Sequence, residues 1–204
     1  MPDLQQVVLL APILLYSITI HEFFHAWSAW KLGDDTALRL GRVSFNPLVH
    51  LDFMGTVCFI FVGFGWGKPV PVQRANLHNP RRDNMLVSLA GPMSNLASAL
   101  AFALVHRAGQ AAWPDPAAGS FEANFLLFFR AATFVSLLLC VFNLIPLPPL
   151  DGGHVLEAIL PRHAAEWLER NRMVLQIALL VFIFTLGAGF LHGIVAPVAN
   201  LMLG

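Results

Sequence analysis

The sequence has few charged residues, few cysteines and no excess of either sign of charge. Charged residues make up 12% of the chain, against about 25% in a typical soluble domain. The 12 basic and 12 acidic residues cancel, so the chain lacks the positive charge that a nucleic-acid-binding protein needs. Cys58 and Cys140 stand among apolar residues, which favours small buried hydrophobes over a disulfide or a metal pair. These shortages argue against a soluble, disulfide-bonded or nucleic-acid-binding protein.

Apolar residues fill the sequence instead, at 57% of the chain, and they are concentrated in five segments. A helix needs roughly 20 apolar residues to cross a bilayer. Four segments meet that length, at residues 4–31, 84–105, 121–145 and 173–195. The segment at 53–66 is shorter and glycine-rich, which favours a re-entrant piece. The sequence therefore predicts an all-α membrane protein, a polytopic transmembrane helix bundle with about four crossings plus one re-entrant segment.

The connectors between these segments are polar and contain prolines. Residues 37–52 alternate in short stretches, and "KPVPV" (68–72) spaces valines with prolines as an edge strand does. We therefore expect short β-like connectors. "PRHAAEWLERNR" (161–172) is typical of an amphipathic surface helix. We expect a single integral-membrane domain over 1–204, in which a core of about residues 10–155 precedes the amphipathic segment and last span of residues 156–204.

The basic residues are unevenly distributed if residues 53–66 turn back without crossing. All but two then share one side of the membrane: Lys31, Arg39, Arg42, Lys68, Arg74, Arg81, Arg82, Arg162, Arg170 and Arg172. The positive-inside rule makes that side, which carries the connectors, cytoplasmic. A full crossing by residues 53–66 would remove most of this bias. We therefore expect a multi-pass protein of the cell membrane with its N-terminus outside.

Three titratable side chains interrupt the first apolar segment, in the stretch "TIHEFFHAW" (19–27). His21 and His25 are four residues apart and so lie on one face of a helix. Two imidazoles at that spacing bind one Zn²⁺ in His-Glu-x-x-His metalloproteases, where the glutamate is the general base. The alternative is a pair of packed histidines, but it leaves the carboxylate of Glu22 unpaired inside a membrane, which is costly. The motif indicates a zinc site with Glu22 as its base.

A hydrolytic zinc site needs a third protein ligand and an open position for water. Apart from Arg130, the other spans contain almost no ionisable residues, and Asp151 follows the proline-rich stretch "NLIPLPPLDGG" (143–153). Prolines forbid a regular helix there, and unwound backbone at membrane depth is tolerated only against protein or a wet cavity. Asp151 is therefore a candidate third ligand, and an acidic helix cap is the alternative. Under the re-entrant topology, Asp151 lies on the same side as the two histidines.

Three motifs together resemble the site-2 protease family of intramembrane zinc metalloproteases: "HEFFH" (21–25), "AGPMSN" (90–95) and "NLIPLPPLDGG". Two further stretches, "GRVSFNPLVHLDFMG" (41–55) and "GWGKPVPV" (65–72), resemble its compact bacterial branch, which lacks PDZ and CBS domains. The resemblance implies zinc-dependent hydrolysis of peptide bonds within or next to transmembrane segments of other membrane proteins. It also implies a place in the cytoplasmic membrane, with the active site opening towards the cytoplasm.

Carried over motif by motif, the resemblance also implies roles for individual residues. His21, His25 and Asp151 are similar to the metal ligands of the family, and Glu22 is similar to its catalytic base. Asn143 is similar to the family's asparagine that holds substrate or stabilises the oxyanion, and Asn95 is similar to a polar residue that faces the same cavity, so both are expected to bind substrate. The expected cofactor is therefore Zn²⁺. The expected partners are a transmembrane protein substrate and the lipid bilayer, with a second copy of the chain or a regulatory membrane protein left open.

Two other functions compete with the protease hypothesis. A divalent-metal transporter can carry a His-Glu-x-x-His-like helix, but it should place further polar ligands along a crossing path. The spans beyond the first offer mainly Asn95 and Asn143. A catalytically inactive membrane scaffold is the third reading, against which the intact Glu22 counts. No nucleic-acid partner is expected.

Overall fold

The computed structural model describes residues 4–62 and 65–204 of the chain, and its elements in this part are helical. Residues 63 and 64 of the predicted re-entrant segment lie outside the described residues, as do residues 1–3 of the predicted domain. Nine α-helices follow one another in the described ranges: α1 (Leu4–Lys31), α2 (Thr36–Arg39), α3 (Phe53–Val62), α4 (Pro80–Ala112), α5 (Phe121–Asn143), α6 (Asp151–Ile159), α7 (Arg162–Arg170), α8 (Arg172–Phe182) and α9 (Ala188–Leu203). The stretch Ile183–Gly187 between α8 and α9 is π-helical.

Four helical stretches are long and apolar enough to cross a membrane: Gln5–Lys31, Pro80–Ala112, Phe121–Asn143 and Thr185–Leu203. They confirm the prediction of an all-α protein with several membrane spans. The helix α3 has 10 residues, which give about 15 Å of length and cannot cross a hydrocarbon core of about 30 Å. Its re-entrant course stays a prediction.

The predicted β-like connectors are not supported, because the described residues contain no strand and only one isolated antiparallel bridge, between Leu51 and Gly67. Residues 68–72 run without regular secondary structure. The backbone N–H of Lys68 donates to the carbonyl of His50 at 2.8 Å, and other backbone groups of this stretch bond to side chains. Arg42 donates to the carbonyls of Lys68 and Pro69, at 2.6 and 3.3 Å. The alternating pattern is typical of a strand, but a strand also needs a partner, and the pattern does not specify one.

The helix α4 lies at the centre of the bundle and packs against α1, α5, α6 and α9. Small residues let the helices approach closely, as is usual between membrane helices. Ala99 and Ala103 of α4 form a buried cluster with Leu137 of α5 and Val195 of α9. Hydrogen bonds join the helices as well, such as the 3.2 Å contact between the hydroxyls of Ser17 in α1 and Ser136 in α5.

Three parts of the chain lie at one end of the bundle: the last turns of α1, the first turns of α4 and the loop that joins α5 to α6. Asn79 caps α4 by accepting a hydrogen bond from the backbone N–H of Arg82, and Pro80 follows at the first helical position, where its missing N–H costs nothing. The opposite end holds Arg107, whose guanidinium lies beside Gly204 after α9. The functional groups described next all lie at the first end.

Candidate metal centre

Three side chains from distant parts of the sequence converge on one point inside the bundle. The Oδ2 atom of Asp151 lies 3.1 Å from His21 Nε2 and 3.2 Å from His25 Nε2. The two Nε2 atoms lie 2.9 Å from each other. Among the described residues, this is the one group of three or more His, Cys, Asp or Glu side chains that could hold a metal ion. The predicted ligand residues are therefore brought together.

The imidazole pair is supplied by α1, where the spacing of four residues puts both rings on the face towards α4. Both histidines are buried, with 8% of His21 and 7% of His25 exposed. His25 donates from Nδ1 to the backbone carbonyl of Val87, at 2.7 Å. With its proton on Nδ1, this ring presents the lone pair of Nε2 to the centre of the cluster. Such a partner on the far nitrogen is usual for a metal-binding histidine.

The carboxylate is supplied by the turn between α5 and α6. Asp151 is the first residue of α6, and Leu150 occupies the cap position. A side chain at Gly152 would approach the carbonyls of Leu144 and Ile145 to 2.4 Å, so only glycine lets the turn fold back on itself there. The Asp151 carboxylate is thus turned towards the imidazoles, and the alternative role as a helix cap is not what the structure shows.

The wall opposite the imidazoles is one face of α4. Val87, Gly91 and Asn95 follow one another at intervals of four residues, so they lie above each other on the helix. A methyl group at Gly91 would lie 2.5 Å from His25 Nε2 and 2.7 Å from His21 Nε2. The absence of a side chain at Gly91 therefore makes the space in which the two nitrogen atoms meet.

The donor set fits zinc. Two imidazole nitrogens and one carboxylate oxygen form a common catalytic zinc set that keeps a fourth position for water. Ligand atoms at 2.0–2.2 Å from a tetrahedral ion lie about 3.4 Å apart, close to the separations of 2.9, 3.1 and 3.2 Å found here. Asp151 Oδ2 is buried and makes no hydrogen bond among the described residues, as expected of an oxygen atom that binds a metal ion.

The Glu22 side chain does not join the cluster of three. Its Oε2 accepts a hydrogen bond of 2.8 Å from the backbone N–H of Val70. Val70 lies between Pro69 and Pro71, which have no backbone N–H, so Val70 carries the one backbone donor among these three residues. The connector segment 68–72 therefore lies directly over the carboxylate that the motif assigns as the general base.

Asn143 and Asn95 occupy different surroundings. Asn143 is half-buried and donates from Nδ2 to the carbonyl of Leu139, at 2.9 Å within its own helix. Asn95 is fully buried, and its Nδ2 lies 3.1 Å from His21 Nδ1. The structure thus brings Asn95 to the metal centre and shows no hydrogen bond from Asn143 to it among the described residues. Contact of either residue with a substrate stays a prediction.

A second polar cluster lies beside the metal centre without joining it. Arg74 donates from Nη2 to Nδ1 of His154 and to Oε2 of Glu157, each at 2.7 Å. Burial and the neighbouring guanidinium of Arg74 hold the pKa of His154 below its ordinary value, although the carboxylate of Glu157 opposes the change. His154 is thus held in a structural ion-pair network and not among the candidate ligands.

Three features of the site escaped the sequence reasoning: the carbonyl of Val87, the close approach at Gly91 and the N–H of Val70. The first two could have been found from the sequence. Residues 87, 91 and 95 are spaced by four, across the motif "AGPMSN" and the turn before it, so they lie on one face of a helix. The contact of Val70 has no such signal, since it depends on a backbone atom 48 residues away from Glu22.

Comparison with known proteins gives one consistent family. The model described as "Peptidase family M50" matches residues 109–186. "Putative zinc metalloprotease YwhC" of Bacillus subtilis is 38% identical over 180 residues, which cover 86% of this chain and 80% of that protein. "Putative zinc metalloprotease Rip2" of Mycobacterium tuberculosis is 34% identical over 190 residues, or 89% of this chain and 69% of that protein.

The Rip2 protein of Mycolicibacterium smegmatis is 35% identical over 149 residues, which cover 70% of this chain and 54% of the relative. No solved structure matches the chain. The description of these relatives as zinc metalloproteases agrees with the donor set of His21, His25 and Asp151. The chain belongs to peptidase family M50, the site-2 protease family, and is a zinc metalloprotease with membrane-spanning helices.

Proposed function

We propose that this protein hydrolyses peptide bonds within or next to transmembrane segments of other membrane proteins. His21, His25 and Asp151 are the proposed zinc ligands, and Glu22 is the proposed general base. The observation that carries this proposal is the convergence of the three ligand atoms within 4.8 Å of one another, between helices that are apolar enough to span a membrane. A site in that position meets peptide bonds that are themselves in the bilayer.

Bound Zn²⁺ supplies Lewis acidity, which lowers the pKa of a water ligand and polarises a carbonyl group. Glu22 follows His21 directly in the helix, so its carboxylate starts from the same turn as the ligands. We propose that Glu22 takes a proton from the attacking water and hands it to the leaving amine, as a general base and then a general acid. The N–H of Val70 holds one oxygen of this carboxylate in place.

Access to the site is proposed from the end of the bundle that holds the connectors. His25 lies six residues before the end of α1, or about 9 Å along the helix axis. The same end carries the excess of lysine and arginine, so we propose that it is cytoplasmic. Residues 68–72 lie over Glu22, so we propose that a locally unwound substrate enters beside them, and Asn143, at the end of α5, is the proposed polar contact for that substrate.

A divalent-metal transporter is the second candidate, and one observation counts against it. The described residues hold a single cluster of three metal-ligating side chains, whereas a transport path needs several such sites. The fixed cluster, backed by the carbonyl of Val87 and the close approach at Gly91, favours a stationary ion.

The test uses the full chain in its native membrane and then in purified form. Glu22→Gln is expected to trap substrates, and proteins that accumulate with this variant supply the peptides for a cleavage assay. With those peptides, Glu22→Gln should keep its zinc but lose cleavage by about 100-fold or more, whereas His21→Ala and Asp151→Ala should lose both.

Two outcomes would overturn the proposal. Equal cleavage by the wild type and Glu22→Gln would remove Glu22 as the base. Uptake of Zn²⁺ into liposomes that contain the purified protein, with no cleavage of any trapped substrate, would establish the transporter instead.

A further inference from the structure

Arg42 is a buried cation whose partners are backbone carbonyls. Only 6% of its surface is exposed. Its Nη2 donates to the carbonyl of Lys68 at 2.6 Å and its Nη1 to the carbonyl of Pro69 at 3.3 Å. Its Nε has no partner among the described residues, and the ion pairs of arginine in that part of the chain belong to other arginines. Because a buried charge without a carboxylate is costly, packing alone does not account for this arrangement.

The peptide unit that joins Pro69 to Val70 lies between Arg42 and Glu22. Its carbonyl, that of Pro69, accepts from Arg42. Its N–H, that of Val70, donates to Glu22 Oε2 at 2.8 Å. The peptide bond is trans, so its oxygen and its hydrogen point in opposite directions. One peptide dipole is therefore aligned between a buried cation and the carboxylate of the proposed base.

The charges on the two sides reinforce this alignment. A cation at the carbonyl and an anion at the N–H polarise the peptide in the same sense, which strengthens both hydrogen bonds. Burial lowers the pKa of Arg42, and the charge of Glu22 opposes this change. The guanidinium and the carboxylate thus interact across the peptide although they do not form an ion pair.

The neighbouring residues fix the connector segment 68–72 in place but leave the orientation of this peptide open. The N–H of Lys68 donates to the carbonyl of His50 at 2.8 Å, and a methyl group at Gly67 would lie 2.6 Å from Ile18 Cγ2 of α1. The ring of Pro69 sets its own φ, but ψ can differ by about half a turn between the extended and the helical regions. That rotation would exchange the directions of the carbonyl and the N–H.

We infer that Arg42 is a positioning residue for the proposed base: its guanidinium holds the carbonyl of Pro69, and so directs the N–H of Val70 at the Glu22 carboxylate. Without the guanidinium, the peptide can turn its oxygen towards the carboxylate, which repels it. The inference rests on the proposed function of Glu22 and extends it to a residue of the stretch "GRVSFNPLVHLDFMG" that no part of the mechanism has used.

The first experiment measures amide hydrogen exchange in the purified full-length protein labelled with ¹⁵N-valine. The Val70 signal is assigned by its loss in Val70→Ala. We expect the Val70 N–H to exchange about 10-fold faster or more in Arg42→Met than in the wild type, because its hydrogen bond loses the support of the guanidinium. The N–H of Val87, inside α4, should exchange at the wild-type rate. Arg39→Met, at an exposed arginine, is the matched control and should change neither rate.

Two results of this experiment would overturn the inference. One is an unchanged Val70 rate in Arg42→Met. The other is an equal increase at Val70 and Val87, which would mean that Arg42 supports the packing of the whole bundle. If Arg42→Met does not fold, Arg42→Lys carries the test. An ammonium group lacks the fork that spans two carbonyls, so Val70 should still exchange about 3-fold faster, and a wild-type rate would contradict the assigned role.

The second experiment is a double-mutant cycle on the cleavage of trapped substrates. Arg42→Met alone should lower kcat by about 10-fold or more, with KM and zinc affinity unchanged. Val70→Pro removes the N–H itself, so adding Arg42→Met to that variant should change kcat by less than about 2-fold. Losses that multiply in the double variant would overturn the inference, since Arg42 would then act by a route other than the N–H of Val70.

The failure of this inference can be told apart from the failure of the proposed function. Hydrogen exchange at Val70 involves no cleavage, so it tests the hold of Arg42 on the peptide whether or not Glu22 is the base. An unchanged Val70 rate in Arg42→Met, together with lost cleavage in Glu22→Gln, would overturn the role of Arg42 alone. Wild-type cleavage by Glu22→Gln would overturn the proposed base, and with it the catalytic purpose of the contact.

Discussion

The imidazole side and the carboxylate side of the metal centre are held by different kinds of structure. His21 and His25 lie within the long helix α1, and each ring rests against the neighbouring helix α4 through its Nδ1 atom. Asp151 instead begins a helix of nine residues after a proline-rich turn. Packing between two long helices thus fixes the imidazoles, whereas the backbone of a single turn fixes the carboxylate. We expect the helical side to tolerate less change than the turn.

The largest effect is expected from Gly91→Ala, which acts on the helical side. The added methyl group would lie 2.5 Å from His25 Nε2, and two packed helices cannot separate easily to admit it. Zinc affinity, measured by chelator competition, should fall by about 100-fold or more. Gly193→Ala is the matched control, because a methyl group there meets nothing within 4 Å. Unchanged affinity in Gly91→Ala would show that the imidazoles are not confined by α4.

A smaller effect is expected from Gly152→Ala, which acts on the turn. The methyl group would lie 2.4 Å from the carbonyls of Leu144 and Ile145, which are not ligand atoms, whereas the methyl group at Gly91 would contact the ligand nitrogens themselves. Displacement of Asp151 should weaken zinc binding by about 10-fold in the same competition assay. A loss as large as that of Gly91→Ala would contradict the difference between the two sides.

The connector over Glu22 gives a third prediction, in which zinc binding should not change. Val70→Pro removes the N–H that donates to the Glu22 carboxylate. A hydrogen bond to a charged group contributes about 1.5–3 kcal/mol, so cleavage of trapped substrates should fall by about 10-fold or more while zinc affinity stays the same. Val70→Ala keeps the N–H and is the control. Equal cleavage by the two variants would mean that the contact does not position the base.

The smallest effect on the metal centre is expected from Asp34, which anchors the same connector further away. Asp34 is fully buried and accepts hydrogen bonds from the backbone N–H of Gln73 at 2.6 Å, the backbone N–H of Thr36 at 3.1 Å and Asn76 Nδ2 at 3.1 Å. Burial alone would raise its pKa, but these hydrogen bonds and that of the Thr36 hydroxyl hold the pKa below its ordinary value.

Because the pKa of Asp34 is lower in the folded than in the unfolded chain, its stabilisation is present above the unfolded value of about 3.9 and is lost as the pH falls further. Asp34→Asn should lower the free energy of unfolding by about 1–3 kcal/mol at neutral pH and leave zinc affinity unchanged. Thermal unfolding at several pH values should show the two proteins converging in acid. A constant difference across that range would exclude ionised Asp34 as the cause.

Much of the helical architecture followed from apolar length. The first predicted segment, residues 4–31, coincides with α1, and the fourth begins with α5 at Phe121. The third segment was predicted to start at residue 84, whereas α4 starts at Pro80, because its first turn is polar. The last was predicted to end at residue 195, yet α9 continues through Pro197 to Leu203. Membrane helices tolerate such a proline.

The candidate ligands also followed from the sequence, because a spacing of four residues and a proline-broken turn are local features. The conformation of the connectors did not follow from the sequence, because a strand depends on a partner that its own sequence does not specify. The surroundings of Asn95 could not be foreseen either. Helix periodicity places Asn95 on the face of Val87 and Gly91, but only the packing of α4 against α1 decides that this face meets His21.

The position of the site along the helices bears on the fate of a cut substrate. By helix rise, His25 lies about 9 Å and His21 about 15 Å from the end of α1, and the hydrocarbon core of a bilayer is about 30 Å thick. If the proposed cleavage takes place at the level of His25, the spanning segment of the substrate is divided unequally. The longer fragment would then keep about two thirds of its apolar segment and stay in the lipid, while the shorter fragment would be too short to remain there and could diffuse into water. Unequal division would turn a membrane-bound precursor into one soluble messenger and one residual anchor.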